Sequence, residues 1–355
     1  MDRIIDLRSD TVTLPSDEMK KAILSANLGD DVFGEDPTVN KLEEIAANML
    51  GKDAGLLVPS GTMGNLISIL VHCQRGTEII LGDKAHTFVF EAGGISAFGG
   101  VHSRQLKNQP DGIIKISDIQ SAIRVDNIHF PKTSAIALEN THNLCNGSPL
   151  SPDYIKDVAQ IAHDNDMKLH IDGARIFNAA VSLDLDVKDL VADSDSITFC
   201  LSKGLAAPIG SVICGSEEFI YHARRNRKAL GGGMRQAGII AAAGIFSMDT
   251  MLDQIREDHE NAMRLADGIN EIEGLVIDPK NIKTNILYFD IEKGKDRAEE
   301  LARQTKNIEI YPFEIALDNV HFFESRPDHF RLVTHYGITR DDIEKALVTL
   351  KNMVK

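Results

Sequence analysis

Short apolar runs recur through the first 250 positions, and between them lie longer segments whose apolar residues return every three or four places. The runs have the character of strands buried on both faces, and the longer segments that of helices with one apolar side. The sharpest helix is "DPTVNKLEEIAANMLG", residues 36–51. Asp36 stands where a cap belongs, Pro37 in the first turn, Leu42, Ile45 and Met49 at helical spacing, and Gly51 as terminator. It is followed by the strand run "AGLLV", the turn "PSGTMGN", an apolar helix "LISILVHC" and the strand run "EIIL". Further strand runs read "SAIALE", "KLHID", "SITFC" and "GSVIC". Such alternation predicts an α/β fold with a largely parallel central sheet.

Past position 250 the pattern changes. "MLDQIREDHENAMRLADGINEIEG" reads as a long amphipathic helix, "TNILYFDI", "NIEIYPF" and "HFRLVTHYGI" as strands, and a final helix starts at Arg340. We therefore expect a large α/β domain over 1–250 and a smaller C-terminal α+β domain over 251–355.

The 355 residues suffice for one large or two medium domains. No window approaches the roughly 18 apolar residues of a membrane span. "MDRIIDLRSDTV" carries charges where a signal peptide has its apolar core, so a cytoplasmic protein is expected. Cys73, Cys145, Cys200 and Cys214 lie far apart, which argues against a disulfide framework or a zinc cluster, and no metal site is expected; Cys145, in a Gly/Asn/Pro loop, is the one expected to reach solvent. A formal charge of −15 repels nucleic acid and anionic membranes. The basic run "RRNRK" at 224–228 reads as a solvated helix face.

Three stretches carry candidate chemistry. "PSGTMGN" leads from a strand into a helix, so its backbone N–H groups, with the Thr62 hydroxyl, suit an anion; an ordinary tight turn accounts for it equally well. It lacks both the P-loop lysine and the GxGxxG spacing. "LHIDGARIFNA" puts Asp172 and Arg175 just past a buried strand, where open sheets bind ligands, although Asp172 also suits a helix cap. Lys203 sits between the strand runs "SITFC" and "GSVIC", 31 residues after Asp172. That spacing holds one helix, "DVKDLVAD", and one strand, so both side chains can reach the same end of the sheet. Lysine is rarely buried without a partner, and a desolvated amine becomes a nucleophile towards carbonyls. A phosphate cup, a carboxylate for a pyridinium nitrogen and such a lysine are together the parts that bind pyridoxal phosphate. HExxH, GxSxG and Walker motifs are absent from the sequence.

From "IDLRSDTVTLP" to "FRLVTHYGIT", through "GDDVFGEDPTVN", "SGTMGN", "ENTHN", "HIDGARIFNA", "CLSKGLAAPIGS" and "GGGMRQAG", the chain resembles fold type I pyridoxal-phosphate enzymes of the β-eliminating lyase/threonine aldolase group. Within that group it is similar to the low-specificity L-threonine aldolases. The resemblance implies pyridoxal 5'-phosphate as cofactor and cleavage of L-threonine or L-allo-threonine to glycine and acetaldehyde. It implies that Lys203 binds the cofactor aldehyde covalently, Asp172 pairs with the pyridine nitrogen, His86 stacks on the ring, and Gly61, Thr62 and Ser202 hold the phosphate. Ser9, in the N-terminal segment 1–15, would hold the substrate carboxylate with Arg175 and Arg331. Lys228 and Arg235 would add phosphate contacts across a subunit interface, within a homotetramer of dimers whose active sites lie at the dimer interface. Arg224, Arg225 and Arg227 stay solvated in this reading.

His86 and His129 are the candidates for contact with the substrate β-hydroxyl, since histidine accepts a proton near neutrality; His129 also reads as a structural residue at a strand start. Phe33 stands where relatives often carry tyrosine, and the "ENTHNLCNGSPLS" loop is longer than in some members. An aminotransferase, a β-eliminating lyase and a silent binding protein of the same fold are the alternatives. Many aminotransferases follow the lysine with a phosphate-binding arginine, whereas no Lys or Arg occurs between 204 and 223. Serine hydroxymethyltransferases carry a threonine run before theirs, and "TFCLSK" does not.

Overall fold

The computed structural model describes residues 4–292, 313–317, 319–326 and 328–354; the expected strand "NIEIYPF" lies outside these apart from Phe313. Among the described residues there are thirteen strands in two sheets, numbered in chain order, and β1 (Ile5–Asp6) belongs to the second sheet. The first sheet contains β2 (Ala54–Val58), β3 (Glu78–Gly82), β4 (His102–Leu106), β5 (Thr133–Glu139), β6 (Lys168–Asp172), β7 (Ser196–Cys200) and β8 (Ser211–Gly215), in the order β2-β8-β7-β6-β5-β3-β4. β8 runs antiparallel to both β2 and β7, and the other neighbours pair in parallel. The expected α/β fold with a mostly parallel sheet is what the chain adopts. Every residue of β3, β7 and β8 is buried, which explains their largely apolar or small side chains. The polar β4, "HSRQL", is an edge strand and left no such signal.

The helix Pro37–Leu50 has the expected ends: Asp36 accepts the N–H groups of Thr38 and Val39, and Gly51 terminates it at φ 61°. Its buried face is Val39, Leu42, Ala46 and Leu50, while Ile45 and Met49 sit half-buried at the margin.

The second sheet is ordered β1-β12-β13-β10-β9, with β11 also on β12, from β9 (Leu275–Val276), β10 (Ile286–Ile291), β11 (Phe313–Leu317), β12 (Val320–Arg326) and β13 (His329–Val333). Against it pack the helices Leu252–Asn270 and Arg340–Met353, with Leu265, Ile269, Phe289, Phe322, Phe330 and Ile343 in a second core. The N-terminal segment, expected with the large domain, joins this sheet: β1 pairs in parallel with β12, and the Leu7 carbonyl accepts the Val333 N–H at 2.8 Å. Residues 8–10 are thereby carried to the boundary between the two sheets.

Two expectations are corrected. Cys145 is 3% exposed, because its loop folds back through a His142–Ser148 bridge; all four cysteines are free and buried. Arg227 is 2% exposed rather than solvated. It lies on the inner face of the helix Glu217–Ala229 with Ile220 and Ala223, and donates to the Leu57 carbonyl and to Asp31, both at 2.7 Å. Arg224, half-buried, donates to Glu43 at 2.8 Å, and Arg225 stays exposed beside Tyr221. Among the described residues, no helix is long and apolar enough to cross a membrane.

Candidate active site

The carboxyl ends of β2, β3, β5, β6 and β7 open at one end of the first sheet, the usual ligand end of such sheets. Asp172, the last residue of β6, is 4% exposed. One of its oxygens accepts the Ala174 N–H at 3.2 Å and the other accepts from Asn65 Nδ2 at 2.8 Å. Asn65 belongs to the helix Gly61–His72, which begins directly after β2 with Ser60 as cap. The first-turn N–H groups of Gly61 and Thr62 have no acceptor within the helix. A side chain at Gly61 would meet Cys200 Sγ at 2.8 Å, so this helix start lies against the end of β7, the strand that leads to Ser202 and Lys203. Lys203 is half-buried, and among the described residues its Nζ makes no hydrogen bond or ion pair.

His86 opens a short helix after β3. Its backbone N–H is held by Glu139 at 2.7 Å and its Nδ1 by Glu91 at 2.9 Å. Burial pulls the imidazole pKa down, but the hydrogen bond to Glu91 and the Asp172 charge outweigh this and raise it. Burial, with Asp172 nearby, also raises the Glu91 carboxyl. His86, Glu91 and Asp172 bring ligand-type atoms within 4.8 Å of one another. Asn65 bridges the two carboxylates with its NH2 group, so hydrogen bonds already join this cluster. His142, left without a chemical role by the sequence, is 1% exposed within the 140–148 loop.

The other half of the site depends on a residue that the sequence reading passed over. Asp10 is fully buried and receives Arg175 through two hydrogen bonds, Nε at 2.6 Å and Nη2 at 2.7 Å, with Asn285 adding a third at 3.3 Å. Burial pushes the Asp10 carboxyl up, yet the guanidinium wins and holds it well below the usual carboxylate range; Lys203 and Arg331 act in the same direction. Arg175 thus spends two of its three nitrogens on Asp10. Asp10 stands inside "LRSDTVT", but its partner is 165 positions away, and nothing local announces the pair. Ser9 caps the turn at Asp10–Val12 by accepting the Thr11 N–H at 3.3 Å. Arg331, on β13, donates from Nη1 to the Arg8 carbonyl at 3.4 Å, and its buried Nε has no partner among the described residues. Ser9, Arg175 and Arg331 therefore meet where the two sheets adjoin.

Three expected residues do not join this cluster within one protomer. His129 is exposed in the loop before β5, at the opposite end of the sheet. Arg124, which lies 5.3 Å over Phe130, anchors that loop to Glu78, the first residue of β3. Lys228 is exposed at the end of its helix. Arg235 is half-exposed, pairs with Asp30 at 2.9 Å and lies 5.8 Å over the ring of Phe33. Gly232 packs against Met63, so the 228–235 segment runs beside the start of the helix Gly61–His72. A separate cleft of about 630 Å³, lined by Lys52, His72, Lys168, Asp195, Phe219 and His222 among others, lies at the amino end of β6 and β7, away from Lys203.

Residues 6–292 match the Beta-eliminating lyase family. The chain is 45% identical over 348 residues to low-specificity L-threonine aldolase 1 of Arabidopsis thaliana, covering 97% of this chain and 95% of that protein. It is 40% identical to the low specificity L-threonine aldolase of Escherichia coli K12, covering 97% of each. Among solved structures, a threonine aldolase of Leishmania major superposes with a TM-score of 0.78 at 18% identity, covering 99% of this chain and all of that one. A putative L-allo-threonine aldolase of Listeria monocytogenes gives the same score and identity, covering 98% and 96%. At that identity the two structures speak for the fold alone.

Proposed function

Because this chain belongs to the β-eliminating lyase family, and within it to the low-specificity L-threonine aldolases, we propose that it cleaves L-threonine and L-allo-threonine to glycine and acetaldehyde with pyridoxal 5'-phosphate as cofactor. Other β-hydroxy-α-amino acids are further substrates. The observation that carries the reading is full-length similarity to two such aldolases, together with the meeting of Lys203, Asp172 and His86 at one end of the sheet.

The residues suit the cofactor. Among the described residues Lys203 Nζ is uncommitted and would bind an aldehyde, and Asp172, with one N–H on each oxygen, keeps lone pairs to accept a pyridinium N–H. The start of the helix Gly61–His72, with Thr62 and Ser202, suits a phosphate. Bound pyridoxal phosphate supplies an electron sink for the pair released at the substrate Cα.

Around it this chain's own side chains orient the substrate and move protons. Arg331, the remaining Arg175 nitrogen and the Ser9 hydroxyl hold the substrate carboxylate. That grip would fix the orientation of the substrate, and hence which Cα bond is presented for cleavage. His86 is held at Nδ1 by Glu91, so its Nε2 is the atom to take the proton of the β-hydroxyl. Acetaldehyde departs, Cα regains a proton, and glycine leaves as Lys203 recovers its place. No oxidant or reductant is consumed.

Lys228 and Arg235 would reach the phosphate of a neighbouring subunit in a homotetramer of dimers. Supporting this, Leu24, Leu28, Phe33 and Ile239 expose apolar surface around the same segment. Four buried, unpaired cysteines agree with a cytoplasmic setting.

The test couples L-threonine cleavage to detection of glycine and acetaldehyde. Equal amounts of both are expected. Pyruvate and ammonia without glycine would replace the aldolase by an eliminating lyase. Borohydride should abolish the visible cofactor band, and Lys203→Ala should lack any reducible band.

A further inference from the structure

A line of buried hydrogen bonds leads away from Asp172 through the first sheet. Asn65, 1% exposed, donates one N–H to Asp172 Oδ2 at 2.8 Å and the other to Glu91 Oε1 at 2.9 Å. Its oxygen faces His170 Nε2 at 3.2 Å. His170 Nδ1 lies 2.8 Å from Ser196 Oγ, and that oxygen lies 2.7 Å from His72 Nε2. The helix and the sheet explain the alignment. Asn65 and His72 are seven residues apart and share one helix face, and His170 and Ser196 are register partners on β6 and β7.

The direction of every bond follows from the carboxylate end. With Asp172 Oδ2 and Glu91 Oε1 both accepting from its NH2, the carboxamide turns its oxygen towards His170. His170 must then carry its proton on Nε2, and its Nδ1 accepts the Ser196 hydroxyl. The Ser196 oxygen in turn accepts from His72 Nε2–H. Burial brings the pKa of both His170 and His72 to about 3, so each ring stays neutral at physiological pH. His72 also lines the cleft at the far end, so the chain spans the sheet.

We propose that His170, locked by Ser196 and His72 in the Nε2–H tautomer, is a positioning residue for Asp172, acting through the Asn65 carboxamide. Without that donor the amide is free to turn over and set its oxygen against Asp172 and Glu91. Asp172 would then lose one of its two N–H donors, and Glu91, which holds His86, would lose the other half of the same amide. The proposal rests on the reading of Asp172 as the partner of the cofactor nitrogen.

Solid-state 15N NMR of histidine-labelled protein tests the lock directly. A neutral Nε2–H ring at His170 from pH 6 to 8 is expected; an imidazolium or an Nδ1–H ring there would overturn the proposal without any variant being made. Ser196→Ala and His170→Phe should each weaken pyridoxal phosphate binding to the apoprotein by roughly tenfold or more, measured by equilibrium dialysis. The same variants should shift the pH titration of the holoenzyme's visible band. His170→Gln, which keeps a donor facing Asn65, should recover affinity to within about threefold of the parent. If the variants lose only denaturation resistance, with affinity and titration unchanged, the chain merely satisfies buried polar groups and the proposal fails. If the parent protein binds no pyridoxal phosphate, the assignment of Asp172 falls, whatever the NMR tautomer.

Discussion

Asp10→Asn is the most informative single change. The substitution keeps the size of the side chain but removes the negative charge that Arg175 meets at hydrogen-bond distance, where Arg175 is 6% exposed and Asp10 fully buried. Breaking one partner of a buried pair leaves an uncompensated charge and costs about 3–5 kcal/mol. The amide oxygen still accepts one N–H, so the lower figure, ~3 kcal/mol, is expected. The pair's stabilisation should also depend on pH. The folded carboxyl titrates well below its unfolded value, so the benefit is complete above about pH 4 and shrinks by roughly 1.4 kcal/mol for each pH unit below it. Urea denaturation of both apoproteins at one protein concentration, from pH 7 down to pH 3, checks this; fixed concentration matters if subunits associate. The variant should unfold at lower urea at pH 7, and the two midpoints should converge towards pH 3. Coincident midpoints at pH 7, or a gap that does not narrow with acid, would refute the view that this pair holds the substrate end of the site together.

Other consequences follow from the same contacts. Glu91→Gln removes the group that raises the His86 pKa against burial, so the acidic limb of the kcat/KM profile should move to lower pH; a limb that stays put removes His86 as the titrating base. Arg331→Lys should lower kcat/KM by about 10- to 100-fold, chiefly through KM, because a point charge cannot reproduce a guanidinium fork; an unchanged KM in a steady-state assay would free Arg331 from the carboxylate. Arg227→Met removes the close partner of buried Asp31, leaving it the Arg224 guanidinium at 3.9 Å, and should cost about 3 kcal/mol by denaturant titration, with part recovered on adding Asp31→Asn. A loss under about 0.5 kcal/mol would suit the solvated arginine of the sequence reading instead.

Much of the architecture was written in local order. Short, largely apolar runs marked β2, β3, β5, β6, β7 and β8, and the caps Asp36 and Gly51 bounded a helix, because strand and helix periods and end signals operate over a few neighbouring residues. The polar edge strand β4 escaped for the converse reason. Lys203 and Asp172 were legible because a strand end in an open sheet has a defined direction and a defined face.

What the chain alone could not disclose was which polar group meets which. Arg227 and Arg225 stand in one basic run, yet one is buried on Asp31 and the other exposed, as helical phase against β2 decides. Asp10 finds Arg175, Asn65 finds Asp172 and His170, and β1 finds β12, across separations of a hundred residues or more. Hydrophobic patterning is summed along the chain and survives in the sequence. A buried charge or amide must be answered at hydrogen-bond distance in space, and only packing determines what stands there.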